Sequence, residues 1–300
     1  MTLLKNAVPF RGAAYAKINL YLNVESRRND GFHNIVSVMQ SVSLADEVYG
    51  EIRPSSARAI RLRMENSDIP ADEKNLAFRA ADAFLSAANL TAEVDLTVVK
   101  RIPAAAGLAG GSADAAAVLR LLNQATGEPI PQKQLLELAA TLGSDVPFCL
   151  VGGTRLCRGR GERMEMLPTP ALHCVIAMPN AAVSTPAAYR RLDALYSNFD
   201  GSVKNPCEGG ERALVNALKQ GGEALAKCVF NLFEEAVLPD CPDAVRLLNE
   251  MRTAGALAAM MSGSGPSVFG IFESREAAEL AAKKIGGAVV FSTPSYESKK

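Results

Sequence analysis

Apolar and polar residues alternate most regularly near the start of the chain, where Ala14, Ala16, Ile18, Leu20, Leu22 and Val24 interleave with Tyr15, Lys17, Asn19, Tyr21 and Asn23. A period of two sends successive side chains to opposite faces, so this stretch predicts a strand with one core face. Lys17, on the other face, reads as a solvated strand lysine. A turn, Arg27-Arg28-Asn29-Asp30-Gly31, precedes Phe32 and His33; Ile35 to Ile52 then predicts one or two strands, Ala59 to Met64 another, and Val94 to Val98 a half-buried one. Helical spacing appears over Asn75 to Ala88. It recurs at Ala115, Val118, Leu119 and Leu122, ended by Gly127, and over Pro131 to Leu142, stopped by Gly143. Pro147 biases Val146 toward extended backbone, which sets Asp145 on a short, stiff link before a strand; alone, Asp145 reads as a turn aspartate.

Beyond Gly159 the organisation shifts. Leu172 to Met178 predicts a buried strand, Thr185-Pro186 opens a helix carrying Tyr189, and Ser197 to Arg212 reads as a surface loop. Pro242 to Ala254 predicts a helix. The apolar runs Ala256 to Met261 and Ser267 to Phe272 flank the small-residue turn Ser262-Gly263-Ser264-Gly265-Pro266, and a helix (Glu273 to Ile285) and a strand (Ala288 to Phe291) close the chain. Phe32 and Tyr189 read as core aromatics on these patterns alone. Two domains are expected, residues 1–158 and 159–300.

Candidate chemistry concentrates in Lys100 to Asp114, K-R-I-P-A-A-A-G-L-A-G-G-S-A-D, where a strand runs into a loop of small residues and then a helix. Gly107, Gly110 and Gly111 can turn successive N–H groups toward an anion, and a helix start adds unpaired donors. Asp114 suits the helix dipole. Gly110-Gly111 is followed by Ser112 and Ala113, so the lysine of a P-loop is absent; Ala105 stands where a dinucleotide motif begins with glycine. The alternative is a tight turn with small residues for close packing.

Composition narrows the partners. In 300 residues, 32 basic side chains balance 32 acidic ones, so no overall field favours nucleic acid or an acidic membrane surface, and a small molecule is the expected partner. Met1 to Gly12 lacks an apolar signal core and no stretch approaches membrane-spanning length, so a cytoplasmic chain is expected. Cys149, Cys157, Cys174, Cys207, Cys228 and Cys241 lack the paired spacing of a zinc site and read as free, mostly buried thiols. With only His33 and His173, a multi-histidine metal centre or a Ser-His-Asp hydrolase is disfavoured, and any metal would arrive with a nucleotide.

Three separated motifs then agree: A-K-I-N-L-Y-L at Ala16 to Leu22, P-A-A-A-G-L-A-G-G-S-A-D at Pro103 to Asp114, and M-S-G-S-G-P-S-V-F at Met261 to Phe269. In this order they resemble the signature motifs of the GHMP small-molecule kinases. D-G-F-H at Asp30 to His33 and S-D-V-P-F at Ser144 to Phe148 resemble the branch acting on a cytidine diphosphate-linked methylerythritol in non-mevalonate isoprenoid synthesis. The resemblance implies an α+β, two-domain architecture with the active site in the cleft between domains. It implies ATP-dependent phosphorylation of the C2 hydroxyl, with Mg²⁺ carried by the nucleotide and no protein metal ligands assigned. By similarity Lys17 and Asp145 are the catalytic pair. Pro103, Ala104, Ala105, Ala106, Gly107, Leu108, Ala109, Gly110, Gly111, Ser112 and Ala113 match the phosphate-binding segment, and Asn75 and Lys100 match positions near the nucleotide. Asn19, Phe32, His33, Tyr189, Gly263, Ser264 and Gly265 match the substrate side, His33 at the cytosine edge with Phe32 and Tyr189 stacking on the ring. Ala105 and Ala109 stand where relatives carry glycine, and their methyl groups are expected to demand negative φ and narrow the approach. Kinases of the same family for mevalonate, homoserine or a sugar, and a non-catalytic nucleotide-binding protein, are the alternatives. Oligomeric state is left open.

Overall fold

The computed structural model describes residue 4 and residues 6–196, 209–293 and 295–296. In chain order it runs β1 (Val8–Arg27), β2 (His33–Pro54), β3 (Ala59–Glu65), α1 (Leu76–Ala87), β4 (Ala92–Val99), α2 (Gly110–Ala125), α3 (Gln132–Leu142), α4 (Val146–Val151) and the hairpin β5 (Thr154–Gly159) and β6 (Arg163–Leu167). There follow β7 (His173–Ala177), α5 (Thr185–Leu195), α6 (Gly210–Ala217), α7 (Gly222–Ala226), β8 (Phe230–Asn231), α8 (Phe233–Val237), α9 (Pro242–Thr253), β9 (Ala258–Met261), β10 (Val268–Phe272), α10 (Arg275–Ile285) and β11 (Ala288–Phe291).

The chain makes two compact units, and neither is one stretch of sequence. One comprises Met1–Ala16, Leu44–Ala104 and Ala109–Val151; the other Lys17–Ser43, Ala105–Leu108 and Gly152–Lys300. Where a single break between residues 158 and 159 is expected from the sequence, the compact units are interleaved, because the long strands β1 and β2 each divide between them.

In the first unit β4 pairs parallel with β3, from Ala59 opposite Glu93 to Glu65 opposite Val99, and antiparallel with the second half of β2. Val48, Ile52, Val94, Leu96 and Val98 supply the buried face of this sheet. Helix α2 packs against α1 and α4 and is buried from Ala113 through Leu119. A helix covered on so much of its circumference must be apolar nearly all round, and its alanines let neighbouring backbones approach. Asn75 caps α1, its Oδ1 accepting from Ala77 N at 2.9 Å.

In the second unit the first half of β2 pairs antiparallel with β5, from Ile35 opposite Gly159 to Gln40 opposite Thr154, while Tyr21 and Leu22 of β1 pair parallel with Phe230 and Asn231. A separate antiparallel sheet has the order β11-β7-β10-β9, with α9 and α10 packed on it. Ser274 caps α10 through its hydroxyl, and Gly286 ends it in the left-handed region at φ 76°.

Several expectations need correcting. Ile35 to Ile52 lies in one strand. Val146 is not extended: Pro147 sits in the first turn of α4, where a fixed φ and a missing N–H cost nothing, and Val146 N donates to Gly143 O at 3.3 Å. The Ser197 to Arg212 loop falls mostly outside the described residues, as does Cys207, and its end from Gly210 opens α6. The β5–β6 hairpin was not anticipated. Of the cysteines among the described residues, Cys149, Cys157, Cys174 and Cys241 are buried thiols and Cys228 a half-buried one, none of them in a disulfide. No helix among the described residues is long and apolar enough to cross a membrane.

One close approach tests the register of the first unit. A methyl group on Gly50 would lie 1.9 Å from the Asp95 carbonyl oxygen, which forbids any side chain at this point of the β2–β4 ladder. Gly50→Ala is expected to destabilise the protein by about 2–4 kcal/mol, the range of an overpacked or strained core position. Urea unfolding measures it, and a midpoint equal to the parent's contradicts this register.

Candidate functional site

Lys17 is not solvated. In β1 both faces are covered from Ala16 to Leu22, and Lys17, Asn19 and Tyr21 are each no more than 3 % exposed. A buried ammonium needs acceptors, and Lys17 Nζ donates to Asn19 Oδ1 at 2.8 Å and to the Gly107 carbonyl at 2.9 Å. Asn19 is held in turn, its Nδ2 donating to Ser37 Oγ at 2.8 Å, and Ser37 Oγ donates to the Tyr21 carbonyl at 2.7 Å. Lys17 N donates to Leu108 O at 3.1 Å, so strand and loop residues 107–108 are tied by backbone as well.

Gly107 can only be glycine. Its φ is +75°, and a methyl there would fall 2.1 Å from the Ser262 carbonyl oxygen. The Ser262–Gly265 turn is therefore in backbone contact with the loop: Ser262 Oγ donates to Gly107 O at 3.1 Å and Ser267 N to Ala106 O at 3.3 Å. Ser264 Oγ lies 2.7 Å from Thr185 Oγ1. The structure thus brings together Lys17, Asn19, Gly107, Ser262 and Gly263, residues from all three signature stretches.

The expectation that Ala105 and Ala109 keep negative φ is wrong. They stand at φ 51° and 60°, in the left-handed region that glycine occupies without cost, whereas Gly110 and Gly111 do not use it. The loop keeps its glycine-like path and carries two methyl groups in strained backbone. Ala109 is the N-cap of α2 and no side chain caps that helix, so the first N–H groups of Gly110, Gly111 and Ser112 keep the donor character a phosphate requires. Gly111 is exposed and Ser112 half-buried.

Two residues expected near a nucleotide are engaged within the protein. Asn75 Nδ2 donates to Pro70 O at 2.9 Å while its Oδ1 caps α1. Lys100 is buried between two carboxylates, donating to Asp46 Oδ2 and, at 2.7 Å, to Asp114 Oδ2. Asp46 Oδ1 also accepts from Arg101 N and Ile102 N, at 2.5 and 2.7 Å, and so pins the start of the loop. Asp114 is therefore more than a dipole partner. Two buried carboxyls share one ammonium; Asp46 also receives the two amides, while Asp114 Oδ1 is buried without a partner. Burial pushes the Asp114 carboxyl up to about 7, with Lys100 opposing and the Asp46 charge reinforcing.

At the start of β2, His33 is buried, its ring stacked on Tyr189 at 4.6 Å between centroids and 19° between planes, and its Nε2 lies 2.7 Å from Asp193 Oδ1. Tyr189 meets Phe233 edge-on at 4.8 Å. Phe32 is no core residue: it is 47 % exposed, with the Arg160 guanidinium 3.6 Å above its ring. Asp145, half-buried, immediately precedes α4, and its carbonyl accepts from Cys149 N at 3.0 Å. Among the described residues no group of three or more His, Cys, Asp or Glu side chains could hold a metal.

Sequence reasoning missed Asp46, Asp193, Arg160 and Asn231. Asp46 had a signal, a carboxylate placed at a buried strand position; the other three carry none, because their partners lie far along the chain.

Comparison with known proteins agrees with these motifs. The model for the GHMP kinases N terminal domain matches residues 75–153, and that for the GHMP kinases C terminal matches residues 213–289. A 4-diphosphocytidyl-2-C-methyl-D-erythritol kinase of Pelotomaculum thermopropionicum is 42% identical over 273 residues, 90% of this chain and 92% of that protein. A crystal structure of 4-(cytidine 5'-diphospho)-2C-methyl-D-erythritol kinase superposes with a TM-score of 0.77 at 33% identity, covering 94% of this chain and 99% of the other. Homoserine kinase from Cytophaga hutchinsonii, at 23% identity and a TM-score of 0.71 over 98% and 97% of the two chains, shares the fold.

Two predictions follow from the loop and its anchor. Ala105→Gly and Ala109→Gly relieve left-handed backbone and are expected to stabilise by about 0.5–1 kcal/mol each in urea unfolding; a loss of stability contradicts the strain. Asp114, with its native value near 7 against an ordinary 3.8, binds a proton in the folded protein that the unfolded chain has released. Its contribution is full below about pH 4 and is lost as pH rises through 7. Asp114→Asn removes this slope, so the stability of the parent relative to the variant should fall by on the order of 1–2 kcal/mol between pH 5 and pH 8. Parallel stability profiles would contradict the assignment.

Proposed function

The chain belongs to the GHMP kinases, and we infer that it transfers the γ-phosphoryl group of ATP to the C2 hydroxyl of 4-diphosphocytidyl-2-C-methyl-D-erythritol, in non-mevalonate isoprenoid precursor synthesis. The observation that carries the acceptor's identity is the His33 cluster. His33, buried, bonded through Nε2 to Asp193 and stacked on Tyr189, is an imidazole held in one orientation, the side-chain type suited to a pyrimidine edge, and the exposed Phe32 offers a flat apolar surface to the base. The relatives' names and the D-G-F-H motif support the same reading.

In the reaction the C2 oxygen attacks the γ-phosphorus, the bond to the β–γ bridging oxygen breaks and ADP leaves. Asp145 accepts the proton from the attacking hydroxyl. Lys17, held by Asn19 and Gly107, directs its ammonium to the charge gathering on the transferred group. Residues 103–113 form the segment that receives the phosphates, with the backbone N–H groups of Gly110, Gly111 and Ser112 as donors at the uncapped start of α2 and Ser112 supplying a hydroxyl there. The donors of this segment fit a nucleotide that brings its own Mg²⁺, which bound with ATP supplies charge neutralisation. Lys100, engaged within the protein, acts through the shape of the loop, and Asn75 through the start of α1. Ser264 and Gly265 border the acceptor. The work takes place in the cytoplasm, where substrate and ATP are dissolved.

An ADP-release assay comparing this acceptor with mevalonate and homoserine tests the reading. Turnover is expected with the cytidine-linked acceptor alone, and preference for either of the others assigns a different member of the family. Asp145→Asn should lower kcat by about 10²–10⁴-fold while ATP binding, measured calorimetrically, persists; full turnover in that variant removes the aspartate from the mechanism.

A further inference from the structure

Residues 231–234 grip the Ser262–Gly265 turn from its buried side. Asn231 is 2 % exposed, and its Nδ2 donates to two carbonyls of one short stretch, Met261 O at 2.7 Å and Gly263 O at 2.8 Å. Its Oδ1 accepts from Phe233 N at 3.0 Å, which fixes the orientation of the amide and leaves both donors for the turn. Glu234 completes the grip, Oε1 accepting from Met261 N at 2.7 Å, so that Met261 is held at both its backbone groups.

The held turn ends against the ammonium. Ser262 Oγ and Lys17 Nζ donate to the same oxygen, that of Gly107. A methyl on Gly263 would lie 2.8 Å from that oxygen and 3.1 Å from Lys17 Nζ, so no slack separates turn from lysine. We propose that Asn231 is a positioning residue for phosphoryl transfer, setting the placement of the Ser262–Gly265 turn over the Gly107 carbonyl and through it the direction in which Lys17 presents its charge. This rests on the role given to Lys17 above. Removing the Asn231 amide leaves two buried carbonyls without their donor, and the turn must move to recover one. Displacements of a fraction of an ångström at a reacting centre cost rate rather than binding.

The test is steady-state kinetics of the parent, Asn231→Ala and Asn231→Asp from pH 6 to 9, with ATP and acceptor each varied to saturation. Thermal unfolding is followed alongside, to show each variant folded at the assay temperature. Asn231→Ala should lose at least tenfold in kcat at every pH, with both KM values within threefold of the parent's. In Asn231→Asp an ionised carboxylate opposes two carbonyl oxygens, whereas its protonated form donates to one, so kcat should climb toward the parent's as pH falls. A purely structural role moves the unfolding temperature but not this profile. Should Asn231→Ala not fold, the Asn231→Asp profile decides. An active parent with an unimpaired alanine variant, a change confined to KM, or an aspartate variant that follows the parent's pH dependence overturns the positioning role. A parent inactive on every acceptor overturns the kinase reading, and this role with it.

Discussion

One carbonyl oxygen organises the second unit. Gly107 O accepts from Lys17 Nζ and from Ser262 Oγ, and its own residue is barred from any side chain by the Ser262 carbonyl. A buried ammonium without acceptors would lose its charge or leave the interior. Here a strand, a loop and a turn each contribute to keeping it: Asn19 from β1, Gly107 from the loop, and the turn that fixes Gly107 in place. The glycine at 107 follows from this packing as much as from any phosphate.

The first unit solves a related problem differently. Lys100 sits between Asp46 and Asp114, two buried carboxyls sharing one ammonium, and burial makes Asp114, whose Oδ1 has no partner, hard to ionise. Replacing such a group by apolar residues is often no loss of stability, so its structural effect lies in where it fixes the chain. Asp46 receives the amides of Arg101 and Ile102, where the chain leaves β4 and enters the small-residue loop. A lysine that resembles a nucleotide contact in the sequence also ties the start of the loop to β2 and α2.

Much of this was legible in the residues, and the failures share a cause. Period-two alternation reveals β1, but alternation cannot distinguish a polar face met by water from one met by Asn19 and Gly107, and so it reads Lys17 as solvated. The small-residue turn between a strand and a helix was legible. The sign of φ at Ala105 and Ala109 was not, because tertiary contacts overrode the preference of alanine. Pro147 misled because the same fixed φ serves an extended link and a first helical turn. Asn231 and Asp193 were invisible: nothing local distinguishes a buried asparagine that spans three backbone groups from one in a loop. The interleaving of the two units was equally hidden, since composition changes near Gly159 while the contacts divide at Ala16 and Ser43.

That interleaving bears on how the chain comes into being. Tyr21 and Leu22 find their parallel partners at Phe230 and Asn231, more than two hundred positions later. During synthesis at about 5–20 residues per second, this part of β1 must wait on the order of ten seconds or more for its neighbour to emerge from the ribosome. For that interval the edge of β1 that β8 will cover is left without its partner, and unfilled strand edges recruit other chains. The polar side chains that alternate along β1 then act as insurance for the newborn polypeptide, discouraging intermolecular pairing before they ever serve the finished enzyme.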